Sequence, residues 1–246
     1  MTFQPSSPDG RLGQPEQGTL RINGVDIRAD AATRGAYLTQ AFFWMFAGLL
    51  LTAAVAALVQ LNPAILRFVA SNFLLIVIAQ FALVMVISFG ITRLNATLAL
   101  GLFFVYAASL GFTVIALVMQ VYTTASIATA FISASAMFGG AALYGYTTKR
   151  SLSGIGRYLM MALFGLIAAV VVNLFVGNSA LDLVISIIGV GLFTVLTAFH
   201  VQRISSGDLA IAAGSVEKAA VLGALLLYLD FVNIFLFLLR LFGDRR

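Results

Sequence analysis

Cysteine is absent from all 246 residues, which excludes disulfides, thiol catalysis and thiolate metal sites. A single histidine, His200, excludes a metal centre built on several imidazoles. Charge is scarce too: Asp, Glu, Lys and Arg make up 9% of the chain, against roughly 25% in soluble domains. Of four prolines, three (Pro5, Pro8, Pro15) fall in the first 34 residues. What fills the chain instead is apolar, at 61% hydrophobic residues and a mean hydropathy of +1.06. This composition is that of an all-α polytopic membrane protein, whose first partner is the lipid bilayer. Fourteen basic residues against nine acidic ones give a pI near 9.9. No basic cluster exceeds two or three residues, so the excess reads as loops facing anionic lipid and carries no nucleic-acid signal.

Residues 1–34 differ from everything after them, with scattered charges, Gly, Gln and Ser and no continuous apolar run. They read as a disordered or loosely helical cytoplasmic tail and not as a signal peptide. Residues 35–246 hold seven apolar stretches near the ~20 residues a spanning helix needs. They run about 36–58, 73–92, 96–121, 125–146, 157–176, 181–201 and 219–242. Asn62-Pro63 ends the first, Gly177-Asn178-Ser179 turns the chain into the sixth, and 209–216 reads as a short interfacial helix. Seven spans put ten basic residues on the N-terminal side and four on the other, which predicts a cytoplasmic N-terminus. Arg245-Arg246 would then face outward, unless the last helix enters and returns. The fourth stretch is dense in small residues, which lets helix backbones approach closely in lipid. It is expected inside the bundle or tight against the last helix, a homodimer face being the alternative. Gly165, Gly189 and Gly191 suit similar packing.

The last stretch, AAVLGALLLYLDFVNIFLFLLRLF, is apolar apart from Asp230, Asn233 and Arg240. A carboxylate at mid-membrane depth costs roughly 2.5–3.5 kcal/mol to insert and is a functional hypothesis by default. Asp230 is therefore expected to face inward from a central helix. The plainer reading is a protonated side chain hydrogen-bonded to a neighbouring helix. Asn233, three residues on, shares its face and is a candidate supporting partner. Gln80, Asn173, Ser186, Thr194 and Thr197 could also bond between helices. Enzymatic activity is not expected, because no nucleophile or metal set accompanies the lone His200.

The segment MFGGAALYGYTTKRSLSGIGRYLMMALFGLIAAVVVNLF (137–175) resembles the Bax inhibitor-1 family of membrane proteins. The later stretches SALDLVISIIGVGLFTVLTAFHVQRI (179–204) and LGALLLYLDFVNIFLFLLRLFG (222–243) resemble its sixth and seventh helices. The resemblance implies a seven-helix bundle with the last helix central and surrounded by the other six. It implies a pH-sensitive calcium leak channel of the inner (plasma) membrane, calcium being the transported ion and no cofactor being held. A non-conducting adaptor that modulates a membrane-bound AAA protease is the alternative. Oligomeric state is not legible.

Family members carry one aspartate on the sixth helix and one on the seventh, paired as a pH sensor. The second maps onto Asp230. At the first, the family's Leu-Thr-Ala-aromatic-Asp-x-Gln reads here Leu196, Thr197, Ala198, Phe199, His200, Val201, Gln202. His200 stands where the aspartate is expected. Histidine's reference pKa of about 6.5 still allows a switch in the physiological range. Calcium prefers several oxygen ligands, so exchanging a carboxylate for an imidazole weakens a metal role for Asp230. By counting, His200 lies near the end of its span and Asp230 near the middle of the next, about 10 Å apart in depth. They meet only if the last helix starts late or sits lower. Otherwise His200 is a helix-end residue at the headgroup boundary.

Overall fold

The computed structural model describes residues 21–22, 25–26 and 31–244. Most of the tail expected over 1–34 lies outside these residues. Of the part described, Arg21–Ile22 (β1) pairs antiparallel with Val25–Asp26 (β2), and 31–34 belong to the first helix. The rest is helical: α1 (Ala31–Gln60), α2 (Pro63–Ser71), α3 (Phe73–Gly90), α4 (Ala96–Leu110), α5 (Ala116–Val121), α6 (Thr124–Thr147), α7 (Gly156–Val176), α8 (Ser179–Ser205), α9 (Asp208–Ala213) and α10 (Val216–Phe242). A π-helical turn, Gly111–Ile115, joins α4 to α5, and a 3₁₀ turn, Ser153–Ile155, leads into α7.

Helix starts follow local chemistry. Asn62, Asn95, Thr123, Asn178 and Ser215 each accept a backbone N–H of the first turn, supplying a partner that the helix itself lacks. Pro63 opens α2, where its missing N–H costs nothing. Gly177 ends α7 at φ +65°, a left-handed conformation that glycine adopts without penalty.

Seven helices are long and apolar enough to cross a membrane: Gly35–Gln60, Phe73–Gly90, Ala96–Val121, Thr124–Thr147, Ser153–Val176, Ser179–Ser205 and Val216–Phe242. The protein is thus an all-α polytopic membrane protein, with each expected stretch in place. The last span is one unbroken helix, so α10 crosses instead of entering and returning. Large apolar side chains such as Phe89, Phe164 and Phe175 stand exposed on the outside, as a lipid-facing surface requires.

Burial decides which helix is central. In the most apolar window of each span, 78% of the last is buried, against 11% of Phe73–Gly90 and 6% of Ser153–Val176. α10 packs on α8, α1, α6, α4 and α9. The other spans do not share it evenly: α3 rests mainly on α4, and α7 mainly on α8. The small residues divide in the same way. α6 does pack on α8 and α10, but through one stripe only (Ser126, Ala130, Ala134, Phe138, Ala141, Gly145), while Gly139 and Gly140 face outward. Gly189 lies under the Phe237 ring, whereas Gly165 and Gly191 meet no neighbouring atom. The short helix expected over 209–216 is present at Asp208–Ala213, with Ala212 and Gly214 exposed on its outer side. α9 tucks Leu209, Ala210 and Ala213 against the start of α10.

Candidate functional site: a buried histidine–aspartate pair

α8 and α10 run antiparallel and are locked in register along their length. Phe237 covers Gly189, Ile204 packs on Gly223, and Arg240 Nη1 reaches Asp182 Oδ1 at 3.4 Å. Gly223 thus stands level with the end of α8, seven residues after α10 begins. At 1.5 Å per residue, α10 starts about 10 Å beyond the end of its partner. That offset brings a residue near the end of one helix to the middle of the other. α9 covers the protruding turns.

The consequence is a direct contact. His200 Nδ1 lies 2.7 Å from Asp230 Oδ2, with His200 6% and Asp230 2% exposed. His200 is therefore an interior residue and not one at the headgroup boundary. Asp230 faces inward, as expected of a carboxylate at this depth. At this distance one proton is shared between a ring nitrogen and a carboxylate oxygen, either as imidazolium with carboxylate or as two neutral partners.

The turn that carries His200 is held from four sides. Asp230 grips it from α10. The Tyr37 hydroxyl on α1 donates to the carbonyl of Ile204, one turn further on. On α6, Gly145 presses against the backbone carbonyl of Ala198, an approach that only a residue without Cβ permits. Gln202 bonds the connection after α6 with both ends of its amide. Oε1 accepts from the Leu152 N–H at 2.7 Å, and Nε2 donates to the Arg150 carbonyl at 2.9 Å. The Phe199 ring lies beside His200, tilted by 53° to it, and carries the Arg203 guanidinium on its face.

Asn233 does not join the pair. Its Nδ2 donates to the Leu229 carbonyl at 2.8 Å, one turn back on its own helix, and its side chain borders a groove toward α7. Thr194 and Thr197 also bond back to their own helix, Asn173 caps a local turn, and Ser186 Oγ has no hydrogen-bond partner among the described residues. Of the polar residues expected to link spans, Gln80 does so, donating to Thr113 Oγ1 at 2.7 Å.

Sequence reasoning missed a second buried polar group. Thr52 Oγ1 on α1 lies 2.6 Å from the Tyr228 hydroxyl, 2.8 Å from the Ala107 carbonyl and 2.9 Å from that of Gly48. Both hydroxyls are satisfied if Tyr228 donates to Thr52 and Thr52 donates to a carbonyl. A lone threonine in a leucine and alanine run was the available signal. It cannot be told from a threonine bonded to its own helix.

The donor set at the pair does not suit a resident calcium ion. One carboxylate and one imidazole fall short of the six to eight oxygens calcium takes. Among the described residues, no three His, Cys, Asp or Glu side chains converge.

Comparison with known proteins agrees with this architecture. The model of the family described as inhibitor of apoptosis-promoting Bax1 matches residues 34–246. The inner membrane protein YbhL of Escherichia coli K12 is 44% identical over 216 residues, covering 85% of this chain and 92% of YbhL. A protein of Deinococcus radiodurans is 45% identical over 210 residues (85% and 90% of the two chains). One of Borreliella burgdorferi is 39% identical over 230 residues (92% and 99%). With a family model spanning the whole membrane domain, and relatives this similar over nearly their full length, the chain belongs to the Bax inhibitor-1 family.

Proposed function

We propose that this protein is a pH-responsive cation leak channel of the inner membrane, with calcium as the ion it passes and the N-terminus in the cytoplasm. The observation that carries the reading is the buried His200–Asp230 contact between the central helix and its closest neighbour. The family supports it in general terms, and the name of YbhL supports the inner membrane. His200 and Asp230 are the sensor. With the shared proton present the pair is neutral overall and ties α8 to α10. When the proton leaves, a carboxylate remains inside the bundle with no partner charge. That charge is relieved by water and cations entering beside it, so flux rises as pH increases.

The test is calcium flux into proteoliposomes from about pH 5.5 to about pH 8, the range in which histidine titrates. Wild type is expected to conduct more at the alkaline end, and Asp230→Asn to be flat with pH. His200→Asp restores a second carboxylate and is expected to shift the midpoint and raise calcium flux. A wild-type flux independent of pH would sink the sensor assignment. Folded protein with no flux in any variant would favour the second reading, a non-conducting adaptor on a membrane-bound AAA protease. The sparse oxygen ligation at the pair is what keeps that reading in view.

A further inference from the structure

The N-terminal side of the bundle holds a polar cleft of about 450 Å³. It lies where the start of α1, the end of α6, the connection into α7 and the end of α8 meet. Its wall carries Lys149 and Arg203 and the hydroxyls of Thr148 and Ser151; Ser205 also lines it, but its hydroxyl donates to the Gln202 carbonyl. Its acid, Asp208, is already engaged and accepts from Ser206 Oγ at 2.9 Å. The two cations are not: among the described residues neither forms an ion pair, and Arg203 only overlies the Phe199 ring. The cleft is also a built feature. Gln202 clamps the 150–152 backbone to α8 through both ends of its amide, and this fixes the wall on which Lys149 and Ser151 stand.

We propose that this cleft binds a phosphate group. A guanidinium and an ammonium lining one concave space, with hydroxyl donors on the same wall, match the several acceptor oxygens and negative charge of a phosphate ester. The cleft lies at the ends of two spans, the level of lipid headgroups, and basic pockets between membrane helices take anionic headgroups. The phosphate comes either from an anionic lipid or from a soluble phosphate compound. The site is separate from the His200–Asp230 pair, and the proposal does not depend on the channel reading.

The full-length protein is placed in nanodiscs of phosphatidylcholine alone or with phosphatidylglycerol. Inorganic phosphate is titrated into the first set. Thermal stability and lipid retention in native mass spectrometry are the readouts. Stabilisation by phosphatidylglycerol alone identifies a lipid headgroup, and stabilisation by inorganic phosphate identifies a soluble source. Lys149→Gln and Arg203→Gln are each expected to weaken binding about fivefold, and together about thirtyfold. Arg203→Lys keeps the charge and is expected to stay within about twofold of wild type. Arg93→Gln removes a cation from the same side but outside the cleft and is expected to bind as wild type. The proposal is overturned if neither phosphate source stabilises the protein. It is also overturned if the double variant binds normally, or if Arg93→Gln loses as much as the cleft variants.

Discussion

Removing one partner of the His200–Asp230 pair is expected to cost far more than removing both. Two opposite unit charges 2.7 Å apart attract by about 6 kcal/mol at an effective dielectric of 20. Burial of both groups sets a desolvation cost against most of that gain. His200→Leu strands a carboxylate, and Asp230→Leu strands an imidazole, in an interior that offers little water. Each single variant is expected to lose roughly 3–5 kcal/mol. The double variant His200→Leu/Asp230→Leu strands nothing and adds apolar packing between α8 and α10. It is expected to lie within about 1 kcal/mol of wild type or above it. The coupling between the sites is then at least about 5 kcal/mol. The assay is a double-mutant cycle of reversible unfolding, driven by sodium dodecyl sulfate in mixed micelles at one pH. Losses that add within about 0.5 kcal/mol would refute the reasoning, since residues that share no interaction behave in that way. A His200→Leu variant as stable as wild type would do so too, because it would put the ring at the headgroup boundary.

Two further predictions use the packing around the pair. Gly145→Ala drives a methyl group into the backbone carbonyl of Ala198, so α6 and α8 must part beside the His200 turn. It is expected to cost about 1–3 kcal/mol in the same unfolding assay. Gly139→Ala, six residues away on the open face, is expected to stay within about 0.5 kcal/mol of wild type; equal losses would disprove the close approach. Thr52→Val takes the acceptor from the buried Tyr228 hydroxyl and is expected to cost about 1–3 kcal/mol. Tyr228→Phe leaves Thr52 its carbonyls and is expected to cost about 0.6 kcal/mol; the reverse order would overturn the assigned donor direction.

The seven spans were legible because a bilayer demands long apolar runs and the chain supplies seven, separated by Asn, Gly and Pro at the turns. Asp230 stood out for the same reason: a carboxylate in such a run is expensive. His200 was legible only through the family motif. By counting alone it belonged at a helix end. Asn233 shows the limit of helical spacing. Sharing a face with Asp230 did not bring it to the pair, because an amide next to its own helix bonds most cheaply to the carbonyl one turn back. The small residues of α6 show another limit. Composition marked the helix as tightly packed but could not say which side of it turns inward.

The sequence by itself determined that this is a membrane-spanning helical bundle, where its spans run, and that its last helix carries a buried carboxylate. These follow from transfer energies summed over contiguous residues, which need no knowledge of neighbours. Only the tertiary structure decided that His200 reaches Asp230, that Thr52 meets Tyr228, and that Lys149 and Arg203 share a cleft. Each of these joins residues far apart in the chain. The offset between α8 and α10 that makes the first possible is set by Gly189 under Phe237, Gly223 against Ile204 and α9 filling the step. Depth in the membrane is a property of one helix, but contact is a property of two. The register between two helices is fixed by side-chain packing, and no count along a single strand of residues contains it.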